Sequence, residues 1–309
     1  MFSSLTPLIQ LYPWLIGGVS CGWILGRLLP TKAPIYLGRF LFWVGAPVGI
    51  LVFMRQADLS GGIWLAPVVA WCAMATGVGL ASLWIRLNSS AKPWTLPTQG
   101  SFLLASMVGN TGYIGYPVVL ALAGPKYFGW AVFYDGLGST IGAYGFGVAL
   151  AARFGQGTEA PGALFRVMLK NPAFWSLWLG LGLRQVVLPD GVEQGLQWVG
   201  WTVIGFSLVT LGMRLSQLSS LHHLSSAGVS LLIKMLVVPL ALGAGLALLG
   251  LRGEPLLVLV LQMAVPPAFA TLVLAETFDL DRELTVTTLA MGSIGLLLTL
   301  PIWLFLFGN

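Results

Sequence analysis

The chain has 309 residues, of which 15 are Lys or Arg and 10 are Asp or Glu, so charged residues make up 8% and the formal net charge is +5. An ordinary soluble domain carries roughly 25% charged residues; with 57% hydrophobic residues and a mean hydropathy of +0.89, this chain lacks the polar groups to cover a water-exposed surface. Soluble enzymes, nucleic-acid-binding domains and disordered proteins are excluded, and a polytopic protein of the lipid bilayer is expected.

About 20 mostly apolar residues cross a hydrocarbon core of ~30 Å. Breaking the chain at charges and at Gly, Pro and Asn clusters predicts ten spans. Five lie in the first half, at 7–28, 35–54, 63–85, 101–123 and 127–151. Five lie in the second, at 172–188, 195–213, 229–250, 255–275 and 285–307. The leading MFSSLTPLIQ has no basic residue before its apolar run, so it reads as part of the first span and not as a cleavable signal. Cys21 and Cys72 fall inside apolar stretches and offer neither a disulfide framework nor a zinc site.

With the N-terminus outside, the cytoplasmic loops and their flanks hold Arg27, Lys32, Arg39, Arg86, Lys92, Arg153, Arg166, Lys170, Arg214, Lys234 and Arg282. The outer side holds only Arg55, Lys126, Arg184 and Arg252, a split of 11 to 4. Basic residues favour the cytoplasmic face, so both termini are expected to be extracytoplasmic in a plasma (inner) membrane. The most hydrophilic stretch, 153–172, divides the chain into a first five-helix repeat (1–154), a cytoplasmic connecting loop (155–171) and a second five-helix repeat (172–309). An odd number of spans per half inverts the second half relative to the first, the layout of an inverted-repeat secondary transporter. An accidental five-plus-five count is the alternative.

The fourth span of each half breaks the rules for a lipid-facing helix. Span four carries Gly109-Asn110-Thr111-Gly112 at its middle, followed by Gly115 and Pro117. Span nine carries Gln262 and the pair Pro266-Pro267. Proline removes a backbone donor and clashes with the carbonyl four residues back, and clustered glycines add flexibility. Two broken helices in matching positions predict a crossover near the midplane, with half-helix N-termini offering free N–H groups to an anion; two ordinary proline kinks are the alternative. Asn110, Thr111, Gly112, Gln262, Pro266 and Pro267 are the candidate substrate-binding residues. Asn110 could donate to a carboxylate or cap the following half-helix, and Gln262 could equally satisfy freed carbonyls.

Asp135, in WAVFYDGLGSTIGAYGFG, is the one carboxylate placed inside a span. An intramembrane acid is a functional candidate, here for proton coupling or site support, against a structural or interfacial acid. The glycines around it (Gly136, Gly138, Gly142 and Gly145) suggest close packing against the crossover. Lys234 is expected to snorkel to the cytoplasmic interface, a counter-charge for the substrate being the alternative, and Arg184 is expected to lie near an outer span end. His222 and His223, adjacent in a loop without acidic or cysteine companions, do not suggest a metal site.

The stretch N-T-G-Y-I-G-Y-P-V-V-L-A-L-A-G (110–124) resembles the fourth-helix motif of the auxin efflux carrier family. P-P-A-F-A-T-L-V-L-A-E-T-F (266–278) and L-T-L-P-I-W-L (298–304) resemble its ninth and last helices. That family includes bacterial carriers of malonate or malate and the plant PIN auxin carriers, within a superfamily that includes sodium–bile-acid symporters. The resemblance implies an all-α membrane protein of ten transmembrane helices, two inverted five-helix repeats, a crossover of broken helices four and nine, and elevator-type alternating access. It also implies a scaffold of spans one, two, six and seven that often forms a homodimer. Two departures stand out. Sodium-coupled relatives place an acid on the ninth-helix crossover where this chain has the neutral Gln262, and PIN carriers have Asn-Pro-Asn where it has Asn110-Thr111-Gly112.

The function expected is therefore secondary transport of small organic anions, without a cofactor; a sodium-coupled bile-acid-type symporter is the alternative. An intramembrane aspartyl protease would need a second carboxylate beside Asp135, and a channel would need a filter loop or charged ring.

Overall fold

A computed structural model of the chain describes residues 6–88, 94–155, 172–217 and 223–308. The loop basic residues Lys92, Arg166 and Lys170, together with His222 and nearly all of the connecting loop, lie outside the described residues. Among those described, the fold is all-helical and no strand occurs.

Helices α1 (Thr6–Leu28), α2 (Ala33–Met54) and α3 (Leu65–Asn88) fall on the first three predicted spans. The fourth is split into α4 (Leu96–Met107) and α5 (Thr111–Leu122). The fifth is α6 (residues 128–154), helical throughout but widened at two places in its glycine-rich middle. In the second half, α7 (Pro172–Leu183) is shorter and α8 (Asp190–Ser216) longer than expected. Then come α9 (Leu224–Leu248), the second split pair α10 (Glu254–Ala264) and α11 (Phe269–Thr277), and α12 (Arg282–Phe307). Five helices (α2, α3, α8, α9 and α12) are long and apolar enough to cross a membrane, by length and composition.

The ends of these helices follow from local chemistry. Thr95 caps α4, its hydroxyl oxygen accepting from the Thr98 N–H at 3.3 Å, with Pro97 in the first turn. Asp281 caps α12 through the Leu284 N–H at 3.0 Å. Its other carboxylate oxygen accepts from the Thr98 hydroxyl at 2.8 Å, tying the start of α4 to the start of α12. In the α2–α3 loop, the backbone and hydroxyl of Ser60 hold the Asp58 carboxyl below the usual carboxylate range.

The helices pack in two groups. α1, α2, α7 and α8 contact one another, α1 lying along α8 and α7 against α2. The second group comprises α3 to α6 and α9 to α12: α3 packs on α4 and α6, and α9 on α10 and α12. Lipid supplies no hydrophobic drive between helices, so close approach rests on small residues. A Cβ on Gly22 would land on the Val209 carbonyl and one on Gly212 on the Val19 carbonyl, so α1 and α8 meet backbone to backbone. The glycines of α6 work the same way but on another partner than expected. Gly138 receives Ala70 and Pro67, and Gly142 receives Met74, so they seat α3. Gly136 faces Leu177 of α7, and Gly145 has open space. These glycines therefore do not pack against the crossover; the polar side of α6, at Asp135, takes that place. Outward surfaces are apolar, with Trp198, Leu28 and Leu248 each well exposed and Cys21 and Cys72 free.

Candidate functional site

The two split helices meet at their breaks. Gly109 and Pro267 pair as an isolated antiparallel bridge. Asn110 N–H donates to the Pro266 carbonyl at 2.8 Å, and Ala268 N–H donates to the Val108 carbonyl at 3.0 Å. Each break thus supplies the partner for backbone groups the other leaves free, which is how irregular backbone survives at depth. The cause is legible in covalent terms. The carbonyls of Gln262 and Met263 would accept from residues 266 and 267 in a continuous helix, and both are prolines without an N–H. At the other break the Asn110 carbonyl accepts from both Ile114 (3.2 Å) and Gly115 (3.1 Å), opening α5 with a wide turn.

A cavity of about 290 Å³ lies between the two helix groups. One wall is α2 (Phe42, Ala46, Gly49, Ile50, Phe53) and α8 (Val203, Ile204, Ser207, Arg214). The other is the N-terminal turn of α5 with Asn110, the polar side of α6 from Asp135 to Tyr144, and the N-terminal turn of α11 from Phe269. Both α5 and α11 therefore present their N-terminal, positive dipole ends to one space. The Asn110 amide nitrogen is buried with no hydrogen-bond partner.

Asp135 lines the cavity, held on both oxygens. The Thr111 hydroxyl donates to one and the Tyr116 hydroxyl to the other at 2.8 Å. Thr111 and Gly112 border the cavity, but the Thr111 hydroxyl is committed to Asp135. Gln262, Pro266 and Pro267 do not line it. Gln262 is wholly buried against Gly115, with neither amide atom hydrogen-bonded, and the prolines pack toward Gly292.

Two residues sit differently from the sequence expectation. The sequence puts Arg214 just beyond the seventh span, among the cytoplasmic basic residues, but α8 runs on to Ser216 and carries it into the cavity wall. Its guanidinium stacks over the Phe269 ring at 4.7 Å and makes no ion pair among the described residues. The signal was the spacing Ser207, Thr210, Arg214, one polar face of a helix. Lys234 does not snorkel: it is 3% exposed, and its ammonium donates to the Met263 carbonyl at 2.5 Å. α9 starts at Leu224, so Lys234 lies about three turns inside. Among the described residues no group of three metal-ligating side chains occurs.

Apolar helices enclosing a partly polar, partly aromatic cavity between two packed groups are the build of a membrane transporter. Residues 162–304 match the family described as membrane transport protein. An uncharacterized transporter of Methanothermobacter thermautotrophicus is 29% identical over 86% of this chain and 87% of its own length. Another, from Methanocaldococcus jannaschii, is 25% identical over 91% of each. Auxin efflux carrier component 3a of rice (Oryza sativa subsp. japonica) is 27% identical over 46% of this chain and 24% of its own length. The chain is thus similar over most of its length to membrane transporters, and over part of it to auxin efflux carriers.

Proposed function

We propose that the chain is a secondary carrier of small organic anions, carboxylates above all, working by elevator-type alternating access around the paired breaks. The observation that carries this reading is the composition of the cavity lining: two helix N-termini and the unpartnered Asn110 amide nitrogen on one wall, and on the facing wall the Arg214 guanidinium, without an ion pair among the described residues, border the same space. Carboxylate is the chemistry such donors select. The aromatic and aliphatic remainder, with Phe42, Phe53 and Phe128, suits an acid with an apolar body. The rice relative is named for auxin efflux, and auxin is an acid of that kind.

On this reading the chain is two inverted five-helix repeats, 1–154 and 172–309, joined by 155–171. Support comes from the split helices, which stand fourth in each half and pair antiparallel. α1, α2, α7 and α8 form the scaffold, which also supplies any homodimer contact, and the remaining helices move against it. The location of the cavity between the two packing groups supports this division. Asn110, Thr111, Gly112 and Arg214 face the substrate; Gln262, Pro266 and Pro267 maintain the break from behind. Asp135 serves as proton acceptor or as support for Thr111. The bias of 11 to 4 basic residues supports a plasma (inner) membrane location with both termini outside.

The test uses purified protein in liposomes, recording solid-supported-membrane currents and counterflow with malonate, malate, an indole acid and a bile acid. Each is run with and without sodium and a pH gradient. Saturable, sodium-independent exchange of one acid is expected. Flux that grows linearly with concentration and shows no counterflow would indicate a pore, and strict sodium dependence a bile-acid-type symporter.

A further inference from the structure

The electrostatics of the paired breaks have a second side. The N-terminal ends of α5 and α11 face the cavity, whereas the C-terminal ends of α4 and α10 converge behind it. C-terminal helix ends carry partial negative charge and free carbonyls. At that point stands Lys234, the one charged side chain among the described residues that is fully buried. Its ammonium donates to the Met263 carbonyl, freed because residue 267 is proline. It also lies 3.0 Å from where a Gly109 Cβ would be, so the missing side chain at Gly109 makes its room. Lys234 does not line the cavity. Among the described residues no carboxylate pairs with it: α4 and α5 carry no charged residue, and Glu254 and Glu283 stand at the far starts of α10 and α12.

We propose that the Lys234 ammonium is a built-in monovalent cation of the paired breaks, tethered where the two C-terminal helix ends meet, and that removing it uncovers a site for a free small cation. It holds the α4 and α10 ends together from behind, which keeps Asn110 and both N-terminal turns presented to the cavity. Lys234 is thus a positioning residue and touches no substrate. The inference stands on the fold and does not require the organic-anion reading.

The test measures melting temperature of purified full-length protein, a readout that needs no substrate. Lys234→Met, which keeps the stem and loses the charge, is expected to melt at least about 5 °C below the wild type. Lys234→Arg is expected to recover at least half of that loss. Lys234→Ala is expected to be raised by methylammonium or ethylammonium chloride but not by tetramethylammonium chloride at equal ionic strength, with the wild type unresponsive to all three. Sodium raising the Lys234→Ala variant as the alkylammonium ions do would also support a latent cation site. Equal melting of Lys234→Met and wild type would overturn the proposal. So would a folded Lys234→Ala variant that no small cation stabilises. Should Lys234→Ala fail to fold, the Met and Arg variants decide alone.

Discussion

The backbone N–H of Asn110 donates to the carbonyl of Pro266 across 2.8 Å, joining residues 156 positions apart at the point where both of their helices stop. Each helix break is stable because the other exists. The Asn110 side-chain amide nitrogen is buried and unpartnered at the cavity wall, so structural repair of the backbone and provision of a donor fall to one residue.

Arg214 is the cation of the cavity wall, and its stacking on Phe269 fixes the guanidinium plane. Arg214→Gln should raise KM for an exchanged carboxylate by about tenfold or more, the scale of one charge-assisted contact. Arg214→Lys should recover only part of this, because lysine offers no bidentate fork. Concentration-dependent counterflow in proteoliposomes measures both.

Asp135 receives the hydroxyls of Thr111 and Tyr116. If it carries the coupled proton, Asp135→Asn should abolish drive by a pH gradient while exchange at equal pH continues. Uptake measured with and without an imposed gradient separates the two. An unchanged gradient response would leave Asp135 as a support for Thr111.

α1 and α8 touch through backbone at Gly22 and Gly212. Alanine at either position would drive a methyl group into a carbonyl that cannot step aside, and should cost about 2 kcal/mol or more. Thermal melting in detergent should show a fall for each variant. Alanine at Gly17, where a Cβ meets open space, should leave melting unchanged.

Gln262 and Gly115 form a tighter pair than either sequence segment suggests, since a Gly115 Cβ would overlap the Gln262 amide oxygen. Gly115→Ala should therefore destabilise the protein, by about 1–3 kcal/mol, as overpacking does. Combining it with Gln262→Ala should restore part of the loss, a coupling that a double-mutant cycle of melting measurements reads directly.

The breaks were legible in the sequence because their cause is covalent: two prolines remove two donors, and glycines around Asn110 permit the turn. Asp135 stood out as the one acid inside a span, but its meeting with Thr111 and Tyr116 at the cavity depends on how α6 turns toward α5, which spacing leaves free. Lys234 and Arg214 were not placed correctly, and for one reason. Their depth depends on where α9 begins and α8 ends, and boundaries in nearly charge-free joints shift by a turn with little cost. α8 extends three residues past its expected limit, to Ser216 instead of 213, which turns a loop arginine into a cavity residue. The role of Gln262 was likewise hidden, since its contact with Gly115 is set by the rotation of α10 about its axis, which spacing alone leaves free.

The central claim is that the paired breaks present Asn110 to a carboxylate. Counterflow of a labelled acid in proteoliposomes bearing wild type or Asn110→Ala, with melting temperature recorded on the same preparations, tests it most directly. The account predicts that Asn110→Ala melts within about 3 °C of wild type, a cost near 1 kcal/mol, and shows no saturable counterflow. A folded Asn110→Ala variant with wild-type counterflow would contradict it.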